Sequence, residues 1–400
     1  MESRGERVLL VGIAHSSGER WKTIDSLDEL ASLSKTARAI VVEKMLQVRE
    51  RFDPATVLGY GKILELKEIC HRHKIDLLIF DLELSASQIR NIERLTDVRT
   101  IDRTTLILDI FAQHASTREA KMQVELAQLE YRLPRLVGKG LELSRLGGGI
   151  GTRGPGERKL EVDRRGIRVR INTLKKALKK MAIDRSEQRK GRTKMFNISI
   201  VGYTNAGKSS LLNALTKSNV KVDDMLFSTL DPNTSLLYFS LKRRVLVTDT
   251  VGFIKNLPHS LIASFRATLE EVRRADLILH IVDISEDGWE ERIEAVKNVL
   301  IEIKAETRPE LLVFNKIDRV FETTIINRIK KHFAKPILIS AKYGDGINEL
   351  KEQLYRLFFG LRLKTIRIRR NQWEKLKDIY RDYEVLDIRE EGDKVLIKVR

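Results

Sequence analysis

The first hundred residues alternate between short apolar runs and longer segments with helical spacing. The apolar runs have the composition of buried strands and span Val8 to Ile13, Ala39 to Val42, Asp76 to Phe80 and Val98 to Ile101. Helix-patterned segments between them include Gly61 to His73 and Ser85 to Leu95. Strands that alternate with helices are typical of an α/β unit with a largely parallel sheet. We therefore predict an amino-terminal α/β domain over residues 1–104.

A different pattern follows, in which apolar residues recur every three or four positions on two long segments. The first carries Met122, Leu126, Leu129 and Leu133, and the second carries Leu160, Ile167, Ile171, Leu174, Leu178 and Met181. One apolar stripe on each of two helices predicts a long antiparallel helical hairpin. We assign the hairpin to residues 105–192 and expect Pro134 to end its first helix.

Apolar strand patterns return in the second half of the chain. They span Phe196 to Val201, Val245 to Thr248, Leu311 to Phe314 and Pro336 to Ile339, and we assign them to one domain over residues 193–358. The tail, residues 359–400, combines a strand pattern, a helix pattern and a hairpin pattern, which predicts a small α/β appendage. The expected fold is therefore a multidomain α/β protein.

A phosphate-binding motif follows the strand that ends at Val201. Its residues fit the pattern G-x-x-x-x-G-K-[ST] and are Gly202, Tyr203, Thr204, Asn205, Ala206, Gly207, Lys208 and Ser209, with Ser210 next in the chain. Glycines let the loop turn its backbone N–H groups toward a polyphosphate, while Lys208 supplies a fixed charge and Ser209 a hydroxyl for magnesium. A strand before the loop is the context that this motif requires. We predict a nucleoside triphosphate site.

Three further motifs, each at a strand end, follow in the order expected of a GTP-binding domain. Asp249, Thr250, Val251 and Gly252 place a carboxylate near magnesium and a glycine amide near the γ-phosphate. The next motif is Asn315, Lys316, Ile317 and Asp318, and the last is Ser340, Ala341 and Lys342. Asp318 can accept hydrogen bonds from the two donors of guanine, and adenine lacks that donor pair. The order of the motifs therefore predicts a GTPase rather than an ATPase.

Composition narrows the class of partner. The formal net charge is +18, which favours a polyanion, and RNA before a membrane surface. We expect no DNA partner.

The single cysteine, Cys70, excludes an internal disulfide framework and a cysteine metal cluster. Without an 18-residue apolar run or an apolar leader, the chain is expected to be a soluble, cytoplasmic protein, and we expect a monomer.

A glycine-dense segment from Gly138 to Glu157 separates the two hairpin helices. Basic residues in or beside it are Lys139, Arg145, Arg153 and Arg158. Between Gly151 and Ile200 the chain has 16 lysines and arginines against 5 acidic residues. A flexible loop of this kind suits RNA phosphates, so we favour RNA contact; a disordered connector is the other interpretation.

Further motifs resemble one known family. Those after the phosphate loop are Phe227 to Thr234, Asp249 to Phe253, Leu257 to His259, and Thr268 to Val272 with Ala275 and Asp276. Those before it are Gly59 to Lys62, Leu84 to Gln88 with Arg90 and Asn91, Asp102 to Thr104, and Gly147 to Glu157. Over about residues 1–358 the chain resembles HflX, a ribosome-associated GTPase family related to Obg.

The resemblance implies roles for individual residues. Lys208 would neutralise β- and γ-phosphate oxygens, and Ser209 and Thr229 would bind magnesium, so that Lys208, Thr229 and Gly252 are the predicted catalytic residues. Thr229 would lie in a mobile loop that senses the γ-phosphate. The nucleotide contacts expected in that loop are Phe227, Ser228, Thr229, Leu230 and Asp231.

Two other positions bear on catalysis. Ras-like enzymes place a water-orienting glutamine where this chain has Phe253, which can neither donate nor accept a hydrogen bond. The resemblance therefore implies slow intrinsic hydrolysis that a partner accelerates. Asn205 matches the asparagine with which some related GTPases hold K⁺, although an asparagine here can also simply brace the loop.

Three functional hypotheses remain open. In the favoured one, the chain hydrolyses GTP as a switch on the large ribosomal subunit and its rRNA, a role that in bacterial relatives extends to splitting stalled ribosomes. In the second, it is an RNA-binding or assembly factor whose bound nucleotide is structural. In the third, it docks on an anionic membrane, which the lack of a lipidation motif disfavours.

Overall fold

The computed structural model describes residues 5–136, 155–190, 195–218, 220, 225–227, 231–240, 243–255, 266–286, 288–320, 323–360, 364–369, 372, 374–382, 385–391 and 394–399. The chain forms two compact units. The first comprises Met1–Gly191, Asp224–Asp231 and Ile254–Ala267. The second comprises Arg192–Asp223, Pro232–Phe253 and Thr268–Arg400. The domain boundaries drawn from the sequence stay predictions.

The first unit opens with a parallel sheet in the order β2-β1-β3-β4. Its strands are β1 (Arg7–Ala14), β2 (Ile40–Val48), β3 (Leu77–Phe80) and β4 (Arg99–Asp102). Its helices are α1 (Arg20–Thr36), α2 (Tyr60–His73), α3 (Ala86–Thr96) and α4 (Arg103–His114). Strand β2 runs well past the predicted end at Val42, because it pairs with β1 as far as Val48.

Two of the motifs that carry the family resemblance begin helices in this unit. Ser85 caps α3 by accepting from the Gln88 N–H, while the Gln88 side chain accepts from the Ser85 N–H, which is a capping box. Asp102 caps α4 by accepting from the Thr105 N–H, and it also accepts from the Tyr131 hydroxyl. These motifs therefore have a structural explanation.

The helical hairpin consists of α5 (Arg118–Arg135) and α6 (Pro155–Lys190). The predicted apolar stripes meet, since the buried Leu126, Ile171 and Leu174 form one cluster. Met122, Leu129, Leu133, Ile167 and Leu178 pack against that cluster. The expectation that Pro134 ends α5 was wrong by one residue. A proline removes a single backbone donor, and the Leu136 N–H still closes the last turn on the Arg132 carbonyl at 3.1 Å.

The second unit contains a six-stranded sheet in the order β10-β9-β8-β5-β7-β6, which is parallel except for the β6–β7 pair. Its strands are β5 (Asn197–Gly202), β6 (Asn233–Tyr238), β7 (Arg244–Asp249), β8 (Leu277–Asp283), β9 (Glu310–Asn315) and β10 (Ile337–Leu338). Its helices are α7 (Lys208–Thr216), α8 (Arg266–Arg274), α9 (Trp289–Glu302), α10 (Thr323–His332) and α11 (Ile347–Phe359).

The carboxyl-terminal residues form the small α/β appendage that the sequence predicts. An antiparallel sheet in the order β11-β13-β12 contains β11 (Lys364–Arg369), β12 (Val385–Glu391) and β13 (Lys394–Val399), and helix α12 (Glu374–Asp382) accompanies it. Ile379 of α12 packs with Ile368 and Ile397 of the sheet. The predicted fold class, a multidomain α/β protein with a phosphate-loop domain, is confirmed.

Candidate nucleotide-binding site

The phosphate loop lies between the buried strand β5 and helix α7, as the sequence predicts. Gly207 has φ of 94°, which favours glycine, and a side chain there would meet the Asn315 amide nitrogen at 2.4 Å. A side chain at Gly202 would meet the Ile281 carbonyl oxygen at 2.4 Å. Gly202 is therefore required by the close approach of β8, and Gly207 by the Asn315 side chain and its own backbone conformation. Ser210 follows as part of α7.

Lys208 is buried at the start of α7. Its ammonium donates to the Tyr203 carbonyl at 2.9 Å, and this hydrogen bond closes the phosphate loop on itself. Burial lowers the pKa of Lys208 from its usual 10.5 to about 8, an effect that Asp249 opposes and Lys316 reinforces. A buried cation that lacks a full counter-charge is suited to a polyanionic ligand, because phosphate oxygens would restore its charged form.

A hydroxyl and a carboxylate meet beside the loop. The Ser209 hydroxyl donates to Asp249 at 2.6 Å, and Asp249 is fully buried at the end of β7. The next residue, Thr250, donates its hydroxyl to the Ile200 carbonyl at 2.7 Å and so fixes the end of β7 against β5. Oxygen donors of this kind fit Mg²⁺. Among the described residues no group of three or more His, Cys, Asp or Glu forms a metal cluster, so phosphate oxygens would have to complete such a site.

The D-x-x-G segment is joined to the phosphate loop by backbone hydrogen bonds. The Thr204 N–H donates to the Phe253 carbonyl at 2.8 Å, and the Phe253 N–H donates to the Gly202 carbonyl at 3.1 Å. A side chain on Gly252 would lie 2.9 Å from Thr204 Cα and 3.0 Å from the Lys208 ammonium. Val251 and Phe253 are both buried, and Phe253 is 1% exposed. The Phe253 ring therefore serves packing.

The base-recognition motifs converge at the ends of β9 and β10. Asn315 donates its amide to the Ala206 carbonyl at 2.8 Å and accepts from the Ala341 N–H at 2.9 Å. Asp318, in the turn that Ile317 begins, accepts from the Ser340 hydroxyl at 2.5 Å. The carboxylate of Asp318 is thus held in place by the neighbouring motif. Lys342 is exposed at the edge of this loop.

Lys316 has a partner that no sequence motif indicates. Its ammonium lies 2.6 Å from the carboxylate of Asp283, the last residue of β8, and the two side chains are 13% and 6% exposed. Asp283 also accepts from the Ser285 N–H and hydroxyl. An acidic residue at the end of a buried strand was the available signal. The pair fixes the long side chain of Lys316 beside the predicted base pocket.

Two predicted residues of the loop have contacts within the first unit, and several others are not described. Phe227 packs on α4 and Asp231 binds the beginning of α5, both within the first unit. Ser228, Thr229, Leu230, Lys139, Arg145 and Arg153 lie outside the described residues, as does the side chain of Arg158. Asn205 has φ of 59°, a left-handed conformation that asparagine tolerates well.

A phosphate loop, a buried aspartate beside its serine, and a linked N-K-x-D motif on a mostly parallel sheet together define a P-loop GTPase. Three family models match the chain. They are described as the N-terminal region of GTP-binding GTPases, their middle region, and a 50S ribosome-binding GTPase, and they match residues 24–112, 114–192 and 197–316 respectively.

Curated relatives match along most of their length. The GTPase HflX of Caldanaerobacter subterraneus subsp. tengcongensis is 46% identical over 356 residues, which cover 88% of this chain and 81% of that protein. The GTPase HflX of Flavobacterium psychrophilum is 41% identical over 411 aligned positions, covering 97% of each. A GTP-binding protein from Sulfolobus solfataricus, solved in complex with GDP, matches 88% of this chain and 98% of that chain at 25% identity, with a TM-score of 0.44. The chain belongs to the HflX family of GTPases.

Membrane-crossing helices are absent from the described part of the chain. Every helix there is too short or too polar to span a bilayer.

Proposed function

We propose that this GTPase uses GTP binding and hydrolysis to control its association with the large ribosomal subunit and its rRNA. The observation that carries the proposal is a basic face on helix α6. This helix belongs to the first unit, and the guanine-nucleotide site belongs to the second. The 50S ribosome-binding description of the family model matched by residues 197–316 supports this choice of partner.

The phosphate loop would hold the triphosphate through its backbone N–H groups and Lys208. Ser209 and Thr229 would bind Mg²⁺, with Asp249 next to Ser209, and the metal would neutralise charge on the β- and γ-phosphate oxygens. The Gly252 N–H would meet the γ-phosphate. When the triphosphate enters, the Lys208 ammonium exchanges the Tyr203 carbonyl for phosphate oxygens.

Guanine selectivity would come from Asp318. Its carboxylate, fixed by the Ser340 hydroxyl, would accept from the N1–H and the exocyclic amine of guanine. Ala341 and Lys342 would line the base, and the hydrogen bonds of Asn315 would keep the base loop in register with the phosphate loop.

Slow turnover in isolation follows from Phe253. Because this side chain is apolar and buried, it cannot orient the attacking water as a glutamine does. The missing group, or the ordering of the Thr229 loop, would come from the ribosomal partner. Asn205 is a candidate K⁺ ligand beside the phosphates. The alternative role for this side chain is to stabilise the phosphate loop.

The basic face of α6 is the surface proposed for rRNA. Two cations at the hairpin interface are paired, since Arg170 contacts Glu125 and Lys175 contacts Glu130, both at 2.7 Å. Other basic residues of the helix are exposed, namely Arg165, Arg168, Lys176, Lys179 and Lys180. On an α-helix they cover an arc of about 120° opposite the apolar stripe and a length of about 22 Å. A stripe of this size can follow several backbone phosphates.

The RNA surface would extend onto the glycine-rich segment, which contains or adjoins Lys139, Arg145, Arg153 and Arg158. The protein would act as a monomer. We propose that the physiological role of this binding is to split stalled ribosomes. The second candidate function, an RNA-binding or assembly factor with a structural nucleotide, is favoured by Phe253 because an enzyme without a water-orienting residue turns over slowly.

GTP hydrolysis with and without large ribosomal subunits separates the two candidates. We expect a large stimulation that is confined to GTP, with ATP as the control nucleotide. A slow rate that subunits leave unchanged would support the structural-nucleotide hypothesis instead.

A further inference from the structure

The side chain of Thr204, in the middle of the phosphate loop, has a buried hydroxyl. Thr204 is 6% exposed, and its hydroxyl oxygen has no hydrogen-bond partner within the described part of the chain. Other buried threonines of this unit do have partners, since Thr250 donates to the Ile200 carbonyl at 2.7 Å and the Thr248 hydroxyl lies 3.0 Å from that of Thr234. A buried hydroxyl without a partner is unfavourable and uncommon in folded proteins. It therefore needs an explanation.

The backbone on which this hydroxyl lies is fixed. The Thr204 N–H donates to the Phe253 carbonyl at 2.8 Å, and the Phe253 N–H donates to the Gly202 carbonyl at 3.1 Å. A short parallel bridge thus joins the phosphate loop to the residue after the D-x-x-G motif. The hydroxyl of Thr204 can therefore change its position only by rotation of the side chain about its first torsion angle.

The space that this rotation reaches is shared with a cation. The Thr204 methyl carbon lies 2.8 Å, and the Lys208 ammonium nitrogen 3.0 Å, from the point that a side-chain carbon on Gly252 would occupy. A rotation of about 120° would bring the hydroxyl to the position of the methyl group. A hydroxyl donor and an ammonium donor beside the same glycine are suited to the oxygens of an anion.

We propose that the Thr204 hydroxyl is a ligand of the γ-phosphate and raises the affinity of the site for GTP relative to GDP. The proposal rests on the proposed function, in which Lys208 and the Gly252 N–H meet the γ-phosphate. A γ-phosphate oxygen would give the hydroxyl the acceptor that it lacks in the protein alone. The phosphate-loop motif accepts any residue at this position, so the motif itself assigns no role to the side chain.

The test compares Thr204→Val and Thr204→Ser in the full-length protein. Valine replaces the hydroxyl with a methyl group, whereas serine keeps the hydroxyl. By calorimetry, Thr204→Val should bind a non-hydrolysable GTP analogue about tenfold or more weakly than the wild type, with the Kd for GDP unchanged. Thr204→Ser should keep its affinity for the analogue. Without nucleotide, the Tm of Thr204→Val should be equal to or above that of the wild type, because an unpaired buried hydroxyl is removed.

Thr216→Val is the matched control, because the Thr216 hydroxyl donates to the Leu212 carbonyl at 2.7 Å at the far end of α7. It should leave both affinities unchanged. Unchanged affinity of Thr204→Val for the analogue would overturn the proposal. An equal loss of affinity for both nucleotides, or a lowered Tm, would do the same by assigning the hydroxyl to the structure of the loop.

Gly252→Ala separates the proposal from its premise. If this variant binds the GTP analogue as tightly as the wild type, the γ-phosphate does not lie beside Gly252 and the premise fails. If Gly252→Ala loses affinity for the analogue while Thr204→Val does not, the premise stands and the role of Thr204 alone fails.

Discussion

The side-chain amide of Asn315 donates to the Ala206 carbonyl at 2.8 Å and so joins the base-recognition loop to the phosphate loop. Gly207 makes this contact possible, since any side chain there would collide with the Asn315 amide nitrogen. The two loops are 109 residues apart in sequence. The base and the phosphates are thus recognised by parts of the chain that already hold each other in place.

Asp318→Asn should change the base that the protein prefers. An asparagine keeps an oxygen for the Ser340 hydroxyl but presents an amide donor where guanine has its amine donor. Xanthine has an oxygen at that position. We expect the affinity for GTP to fall about a hundredfold or more and that for xanthosine triphosphate to rise, as measured by competition binding. An unaltered preference for GTP would remove Asp318 from base recognition.

Gly252→Ala should strongly impair hydrolysis. The new methyl group would lie 2.9 Å from Thr204 Cα, a backbone atom that cannot swing away, and 3.0 Å from the Lys208 ammonium. Displacement of the Gly252 N–H and of Lys208 should lower kcat by about a hundredfold or more. The control is Gly166→Ala in α6, where an added methyl meets nothing within 4 Å. That variant should keep its activity and gain about 0.5–1 kcal/mol in stability. Normal kcat in Gly252→Ala would contradict the assigned geometry.

Nucleotide binding should take up a proton at alkaline pH. The pKa of Lys208 is lowered to about 8 by burial, whereas phosphate oxygens would keep its ammonium charged in the complex. Affinity for GDP should therefore fall about tenfold per pH unit above that value. Calorimetry in two buffers of different ionisation enthalpy should show little proton uptake at pH about 7 and nearly one proton at pH about 9. Equal uptake at both would mean that Lys208 stays charged in the free protein.

The same group also gives a stability prediction for the nucleotide-free protein. Between its folded pKa of about 8 and its usual 10.5, the unfolded chain binds more protons at Lys208 than the folded chain. The contribution of this group to stability therefore rises with pH across that window. The free energy of unfolding should therefore be measured at several pH values across that window. In Lys208→Met it should lack the increase that Lys208 contributes. An identical pH dependence in both proteins would contradict the lowered pKa.

Removal of charge from α6 should weaken large-subunit binding without affecting the nucleotide. We choose Lys176, Lys179 and Lys180, all exposed, and change them together to glutamine. Binding should weaken, and its dependence on log salt concentration should become shallower by about 0.7 for each rRNA phosphate that is no longer neutralised. The matched control changes Lys330, Lys331 and Lys335, which are equally exposed in the second unit. Equal weakening by both triple variants would indicate a general effect of net charge.

The sequence predicts those parts of the site that are local. A phosphate loop or an N-K-x-D motif is a short run after a strand, so its chemistry and its place in the fold follow together. The Asp283–Lys316 pair joins the end of β8 to the residue that follows β9, and Asp231 meets a residue 115 positions away in sequence. An acidic residue at the end of a buried strand, such as Asp283, indicates that a partner exists, but spacing along the chain does not indicate which residue it is. The lowered pKa of Lys208 is likewise a property of burial, which a motif does not reveal.

The most direct test of the central claim is the affinity of the protein for large ribosomal subunits in its different nucleotide states. Cosedimentation should be compared with a non-hydrolysable GTP analogue, with GDP and without nucleotide, at one fixed salt concentration. A switch predicts tight binding with the GTP analogue and at least about tenfold weaker binding with GDP, a coupling of about 1.4 kcal/mol. Equal affinity in all three states would contradict a GTP-controlled switch.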